Sequence, residues 1–549
     1  MKAMNATRTT RRAAGAMALA GMMLATGAAR CVPANSRSQR GAEPARAIAP
    51  AAATTAAPAQ TNIPPWLKCT VGADGIIVPC KDMDAFLSAA MDYLKNVDTR
   101  VPPASVHAVE SATSSATMMS GYVPGQLDIN GEMVPGFMKF GWTSQLRHWL
   151  NAFLGCYVYS GEAEWLYRAE DVGRYMRYKL CTPANWAWSN AITPTKGDTI
   201  VEPDKVSAVG CCYLALYFVT GKEEYLGFAR EVAENLRKNK TASGELLPSR
   251  VKGQDNKLVQ TWISFRTYHV QFFEQMVKAD PAYRQCYADI LAWYKTRLAN
   301  DEWGNWYEDV ANDDPKYKST EPLTAAAWWC AERSGSEPAL LTEAIKAYTY
   351  VKNTLSANNE QLQLQSPVRI LVEQPRYAVA NTGSSIYFWR AAAAICCATG
   401  DDAYRREALN GLYWLTYHQG SNGHLPWGIR GPTGQVTDWG SNHPGVIDLI
   451  LNDTIGLLPE VVPNGQNHII RYSSIVGGVS YADGKVGFTA RVPGETWLKL
   501  AFTPGSVTKE GTALRQVKLL STSGEGWTYD KGTQVLKVSH GAGTVKITR

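Results

Sequence analysis

Charge is scarce in this 549-residue chain: 19% of residues are Asp, Glu, Lys or Arg, against 45% hydrophobic. So little charge beside so much apolar content excludes disorder over most of the length. The formal charge of +6 does not belong to the bulk of the chain either. Lys2, Arg8, Arg11, Arg12, Arg30, Arg37, Arg40 and Arg46 against Glu43 give the first 60 residues +7, and the other 489 residues hold 47 basic and 48 acidic ones. A body near −1 lacks the basic field that nucleic acid requires, so no nucleic-acid partner is expected. There is no HExxH, no zinc-type or CxxC cysteine spacing and no phosphate-binding glycine loop. Neither a metal nor a cofactor is therefore expected. Asp128-Ile129-Asn130-Gly131-Glu132 is a fragment of a calcium-loop pattern and Asn312-Asp313-Asp314 a short acidic run; both read as solvated turns. Beyond residue 30 no apolar run is long enough to cross a bilayer.

What is present begins with a leader. Arg8, Arg11 and Arg12 precede a small-residue apolar stretch over residues 13–29, the pattern of an export signal over 1–30. Ala and Gly give that run too little apolar surface for a good membrane span. Arg30 stands where a lipidated Cys31 would need a small residue, which argues against a lipid anchor. Residues 31–65, rich in Ala, Pro, Ser and Thr, read as a mobile tether. The expected location is secreted or periplasmic. Of eleven cysteines, Cys69 and Cys80 flank a Gly-containing loop and are placed for a local disulfide in an exported protein. Cys156, Cys211, Cys212, Cys330, Cys396 and Cys397 lie in apolar runs and read as small core residues.

The main body carries a weak repeat of about sixty residues. Apolar segments end in similar turns at Ser160-Gly161, Thr220-Gly221, Ser334-Gly335 and Thr399-Gly400, with Asp280-Pro281 as a variant. Gly stops a helix, and Glu or Asp opens the next one. Two kinds of helix alternate between the turns. Those near 138–159, 204–220, 264–278, 319–333, 382–398 and 442–458 are apolar nearly all round. Those near 82–96, 163–179, 222–239, 281–299, 337–355 and 401–418 have one charged face. All-round apolar helices belong inside and striped ones outside, so residues 66–463 are expected to form a mainly α (α/α)6 toroid. Its inner-to-outer turns are short and its outer-to-inner loops long, which gathers six long loops at the N-terminal ends of the inner helices. Residues 464–549 alternate apolar and polar at 469–475, 486–492, 497–502, 516–520, 535–540 and 544–548, the pattern of a small antiparallel β-sandwich. No row of aromatics marks it as a binding module, so a capping or supporting role is expected.

The long-loop face is rich in groups that suit a glycan: rings that stack on sugar faces, and amides or guanidinium groups that bind hydroxyls or acids. Candidates for substrate binding are Trp142, Gln145, Trp186, Trp188, Asn190, Trp306, Tyr307, Asn381, Trp427, Arg430 and Trp439. At the starts of the inner helices stand His148, Glu202, Asp204, Arg266, Tyr268, His269, Glu321, Tyr387, Asn442 and His443. Asp204 and Glu321 also read as ordinary first-turn acids. Arg266-Thr267-Tyr268-His269 is harder to explain structurally, because it puts polar groups beside Phe265, Val270, Phe272 and Phe273, where burial is costly.

This organisation resembles the (α/α)-toroid carbohydrate-active enzymes over residues 80–460, a superfamily that includes alginate, glucuronan and heparinoid lyases and unsaturated glucuronyl hydrolases. Phe265-Arg266-Thr267-Tyr268-His269 is similar to the catalytic Tyr followed by His of the alginate-lyase group, with its nearby Arg. That group also has an Asn-His pair on an earlier inner helix, whereas Asn442-His443 comes later here. The resemblance implies a polysaccharide or oligosaccharide substrate.

Two chemistries compete. β-Elimination from a uronate needs a cation or amide on the carboxylate, a base for the C5 proton and an acid for the leaving oxygen. Arg266, Arg250, Arg376 or Arg430, with Asn381 or Asn442, suit the first task. Tyr268 with one of His148, His269 and His443 suits the others. Hydrolysis needs a pair of carboxyl groups, for which Asp204, Glu308, Asp309, Glu321 and Asp438 are candidates. The polysaccharide lyase is preferred, because the Arg-Tyr-His cluster has fewer structural explanations than the carboxylates. A non-catalytic glycan-binding protein is the third reading. The sequence leaves glycan identity and oligomeric state open.

Overall fold

Turn chemistry sets the repeat. In the computed structural model, Ser160, Thr220 and Thr399 each donate a hydroxyl to the carbonyl four residues earlier, on Cys156, Leu216 and Ile395, at 2.7–2.8 Å. The same hydroxyls accept the N–H groups of Glu162, Lys222 and Asp401. Between the hydroxyl residue and that N–H donor sits a glycine, Gly161, Gly221 or Gly400, at φ of 70–77°. Only glycine adopts that left-handed conformation without strain, which explains its place after these three apolar helices.

The described residues are 68–96, 143–180, 198–201, 203–247, 249–252, 255–258, 266–303, 318–357, 367–375, 377–430, 435–437, 442–520 and 524–549. All of them belong to one compact unit, Asn62–Arg549. The expected export signal and tether, with Cys31, lie outside the described residues, as do Asp128-Ile129-Asn130-Gly131-Glu132 and Asn312-Asp313-Asp314.

Among the described residues, twelve helices alternate as the periodicity demands. The inner ones are α2 (Thr143–Ser160), α4 (Pro203–Thr220), α6 (Thr267–Ala279), α8 (Thr320–Arg333), α10 (Thr382–Thr399) and α12 (Asn442–Leu449). The last runs on through a π turn, Ile450–Thr454. The outer ones are α1 (Met83–Asn96), α3 (Ala163–Tyr175), α5 (Glu223–Lys238), α7 (Arg284–Ala299), α9 (Ala339–Thr354) and α11 (Asp402–His418). α5 buries Tyr225, Leu226, Ala229, Val232, Ala233 and Leu236, a stripe at helical spacing, whereas α4 is buried on nearly every side. α12 packs back on α2 and closes the inner ring. This is the expected (α/α)6 toroid.

The long connections are more ordered than their composition suggested. β1 (Asp198–Val201) pairs with β2 (Ser249–Lys252), which pairs with β3 (Asp255–Leu258). β4 (Leu371–Gln374), β5 (Tyr377–Asn381), β6 (Gly428–Arg430) and β7 (Gln435–Thr437) form a second small sheet. Each sheet joins two different outer-to-inner connections, so neighbouring loops hold one another.

The C-terminal region is a sandwich of two antiparallel sheets, β13-β12-β16-β10-β9 and β14-β15-β11-β8. Its strands are β8 (His468–Tyr472), β9 (Gly477–Ala482), β10 (Lys485–Ala490), β11 (Gly494–Lys499), β12 (Ser506–Lys509), β13 (Thr512–Ala513), β14 (Gly526–Asp530), β15 (Val535–His540) and β16 (Gly543–Thr548). Residues 516–520, expected as a strand, make an isolated bridge from Gln516 to Trp527, and the chain bends at Lys518 and Leu519. The sandwich sits on the C-terminal ends of the inner helices. His468 stacks on Tyr159 at 3.8 Å, Tyr481 donates to Val158 O, and Arg471 pairs with Glu332.

Two cysteine expectations change. Cys80 donates its thiol to Thr416 O at 2.9 Å, so it carries a thiol rather than a bond to Cys69. Cys156, Cys212 and Cys330 are core residues, but Cys211 is part-exposed, as is Cys396, and Cys397 is exposed at the last turn of α10.

Candidate functional site

Six inner helices starting on one face bring their first turns together, and the polar residues there meet around the ring axis. Glu321, in the first turn of α8, is the hub. Arg147 of α2 donates to its Oε1 at 3.3 Å, and Arg266 Nη1 lies 3.6 Å from the same oxygen. The Tyr268 hydroxyl stands 3.4 Å from Oε1 and 3.0 Å from the Tyr387 hydroxyl of α10. Arg266, the residue before α6, also approaches Asp204 Oδ2 at 3.6 Å. The Arg147 guanidinium lies over the Tyr268 ring at 4.6 Å. Burial alone would raise the Glu321 carboxyl, but the guanidinium groups of Arg266 and Arg147 outweigh it and hold the pKa at about 2. Burial pushes the Tyr268 phenol up to about 12 against the pull of Arg147, so it is a neutral proton donor.

Below this cluster an axial cavity of about 560 Å³ runs toward the sandwich. Arg147, His148, Asn151, Tyr268, Arg390, Asp448, Asn452 and Asp453 line it, and so do Tyr472 and Trp497 of the sandwich. His148 Nδ1 lies 3.5 Å from Asp448 Oδ2. Burial lowers the His148 pKa and Arg147 lowers it further, with Asp448 opposing, which makes the imidazole neutral and able to accept a proton. Arg390 pairs with Asp453 at 2.6 Å and covers Trp328 at 4.2 Å.

Tyr268, Arg266, Glu321, Asp204 and His148 therefore come together, as the sequence pattern anticipated for helix starts. Others have structural duties instead. His269 is buried, with Ser207 Oγ 2.9 Å from Nδ1, because it lies on the flank of α6 that faces α4. His443 accepts from Leu425 N at 2.9 Å and donates Nε2–H to Ala90 O at 3.0 Å. It ties α12 to the outer layer, and burial keeps it neutral with a pKa well below the usual value. Asn381 caps α10, accepting from Ser384 N at 2.6 Å and donating to Val379 O, which occupies its amide. Trp427 is buried, and its carbonyl binds Thr382 N at 2.7 Å. None of these four lines the axial cavity.

Trp142, Trp186, Trp188, Asn190, Glu202, Trp306, Tyr307, Glu308, Asp309, Arg376, Asp438 and Trp439 lie outside the described residues. So do the side chains of Gln145, Arg250, Arg430 and Asn442. Sequence reasoning passed over Arg147, Asn151, Arg390, Asp448, Asn452 and Asp453. The signal was available: a charged or amide group inside an all-round apolar helix, such as Arg390 before Ala391-Ala392-Ala393, needs a buried partner. Among the described residues no cluster of metal-ligating side chains forms, and no helix is long and apolar enough to cross a membrane.

No protein-family model matches the chain, and no curated protein matches it in sequence. Among solved structures it is similar to a D-mannose isomerase, with a TM-score of 0.51, 13% identity, 69% of this chain covered and 97% of that one. The chain has the fold of the (α/α)-toroid carbohydrate-active enzymes. Further similar structures are a cellobiose 2-epimerase from Spirochaeta thermophila DSM 6192 (TM-score 0.49, 12% identity, 69% and 98% covered) and an unsaturated glucuronyl hydrolase specific for heparin (0.44, 10%, 67% and 95%).

Proposed function

We propose that this chain is an exported carbohydrate-processing enzyme that removes a proton from a sugar carbon, and that it cleaves a uronate-containing saccharide by β-elimination. The fold serves several chemistries, so the choice rests on side chains. The observation that carries it is that a neutral imidazole, His148, and a neutral phenol, Tyr268, line one cavity, with the Arg147 guanidinium over the phenol ring. Proton acceptor and proton donor are the two groups elimination requires. His148 takes the C5 proton, and the C5–H electrons form the C4–C5 double bond. The C4–O bond breaks, and Tyr268 gives its proton to the departing oxygen. Arg147 offsets the negative charge that develops on the phenol. Water then returns the proton from His148 to Tyr268.

Hydrolysis fits these groups less well. It needs a carboxyl that holds a proton; Glu321 is held ionised, and Asp453, whose pKa burial raises, is engaged by Arg390. A second reading is favoured by the charge balance. Arg147, Arg266 and Arg390 already face Asp204, Glu321 and Asp453, and Asp448 adds one more acid. Around these three arginines acids thus outnumber cations by four to three, so binding a uronate there would call on a further cation, with Arg250, Arg376 and Arg430 as candidates. The same His148–Tyr268 pair suits isomerisation of a neutral sugar, the type of reaction named for mannose isomerase. One set of incubations separates these readings. Uronate polysaccharides that gain the ultraviolet absorbance of an unsaturated uronate support elimination. Ketose formed from a neutral aldose, without that absorbance, replaces it with isomerisation. New reducing ends without either product replace it with hydrolysis.

A further inference from the structure

We propose that Asp448 and Tyr472 are positioning residues for His148, so that the β-sandwich helps to orient the proton acceptor of a site built by the helical ring. The inference rests on the reading of His148 as that acceptor. Tyr472, at the end of β8, donates its hydroxyl to Asn452 Oδ1. With that oxygen engaged, the Asn452 amide nitrogen has one orientation left. It donates to Asp448 Oδ1 at 2.8 Å and to Asn151 O at 3.1 Å. Asp448 is held by this bond, and its Oδ2 is left facing His148 Nδ1 at 3.5 Å and Asn151 Nδ2 at 3.5 Å. A carboxylate there selects the tautomer with hydrogen on Nδ1 and leaves Nε2 as the base.

The distance of 3.5 Å is longer than a formed hydrogen bond, and Nδ1 is buried without one. Such contacts tighten when substrate fills a site. The imidazole packs closely against Gly445, where a Cβ would stand 3.3 Å from Nδ1 and crowd it. The backbone supports the same arrangement. The π turn Ile450–Thr454 adds one residue to the helical repeat and presents Asn452 and Asp453 to the cavity together with Asp448. Turns of this kind are frequent at functional sites.

The groups around His148 are Arg147 on its own helix, Glu321 on α8 and Asp448 on α12. Cys211 and Cys212 on α4 are thiols that burial keeps neutral. Arg390 and Arg471 act on Asp453, the next acid along from Asp448. The chain of Tyr472, Asn452 and Asp448 is thus the connection from the sandwich to the imidazole.

The test is a titration of His148 by NMR in the intact protein. Its signal among eight histidines is the one lost in His148→Gln. Asp448→Asn is expected to lower the His148 pKa by about one unit, because a carboxylate that favours the charged imidazole is gone. Tyr472→Phe should lower it by a few tenths of a unit and reduce kcat several-fold while leaving KM unchanged. Arg491→Ala, which removes a sandwich-to-ring contact at Thr220 O remote from the chain of bonds, should alter neither. If Tyr472→Phe does not fold, Asn452→Ser breaks the same link with the same expectation. A His148 titration in Tyr472→Phe identical to that of the unaltered protein overturns the proposal. The titration needs no substrate, so it is independent of whether elimination, isomerisation or hydrolysis is found.

Discussion

Replacing Glu321 by Gln tests the electrostatics of the site most directly. The carboxylate is mostly buried and faces two guanidinium groups and a phenol, and its pKa is held at about 2 against an ordinary 4.5. A difference of that size is worth about 3 kcal/mol of folding stability at neutral pH. Because the folded value is the lower one, this contribution is fully present above pH 4.5 and is lost as pH falls through 4.5 toward 2. Removal also leaves Arg147 and Arg266 without their common partner, and stranding buried charge typically costs about 3–5 kcal/mol. Urea denaturation of Glu321→Gln and the unaltered chain should therefore differ by at least about 3 kcal/mol at pH 7. At pH 3.5 the linkage part of that deficit should shrink to about 2 kcal/mol. A variant as stable as the original at pH 7, or a deficit that grows on acidification, would refute the idea that Glu321 is an ionised counter-charge.

Other outcomes follow from the same geometry. Tyr268→Phe should cut turnover by about a hundredfold or more while leaving the melting temperature close to normal, since only a hydroxyl that donates the proton is lost; activity measured beside thermal melting checks this. His418, with a pKa pushed down to about 3 by burial, and His443 are neutral in the fold. Unfolding lets them take protons, so their contribution is present above pH 6.5 and disappears below it. His418 alone should cost roughly 2–3 kcal/mol by pH 4.5, with His443 acting in the same direction, seen as a falling urea midpoint from pH 7 to 4.5. Gly411→Ala should destabilise the chain by roughly 1–3 kcal/mol, because its Cβ would sit 2.1 Å from Trp389 Cδ2 between α10 and α11; calorimetry of the variant measures it.

The helical ring was legible in the chain because hydrophobic periodicity and helix stops are local properties. The Gly at Gly161, Gly221 and Gly400, and the hydroxyl before each, recur at the ends of three inner helices, α2, α4 and α10. The long connections were not legible in the same way. β1 finds its partner β2 some fifty residues away, and four-residue strands carry too little alternation to be read alone. Among candidate residues, the helix-start groups Arg266, Tyr268, Glu321 and Asp204 meet in the fold. Three histidines suited the role of base equally well in sequence, and packing separates them. His269 turns toward Ser207, and His443 spans Leu425 and Ala90. His148 alone of the three lines the cavity.

By itself, then, the sequence determined the alternation of apolar and striped helices, the sheet-forming tail and the face on which polar residues gather. Each of these depends on neighbours within a few turns of chain. Only the tertiary structure decided which polar groups share an oxygen, which histidine is exposed to the cavity, and that a tyrosine near residue 470 reaches an asparagine inside the ring. Those outcomes depend on the rotation of each inner helix about its own axis and on the docking of the sandwich. No local pattern encodes either one.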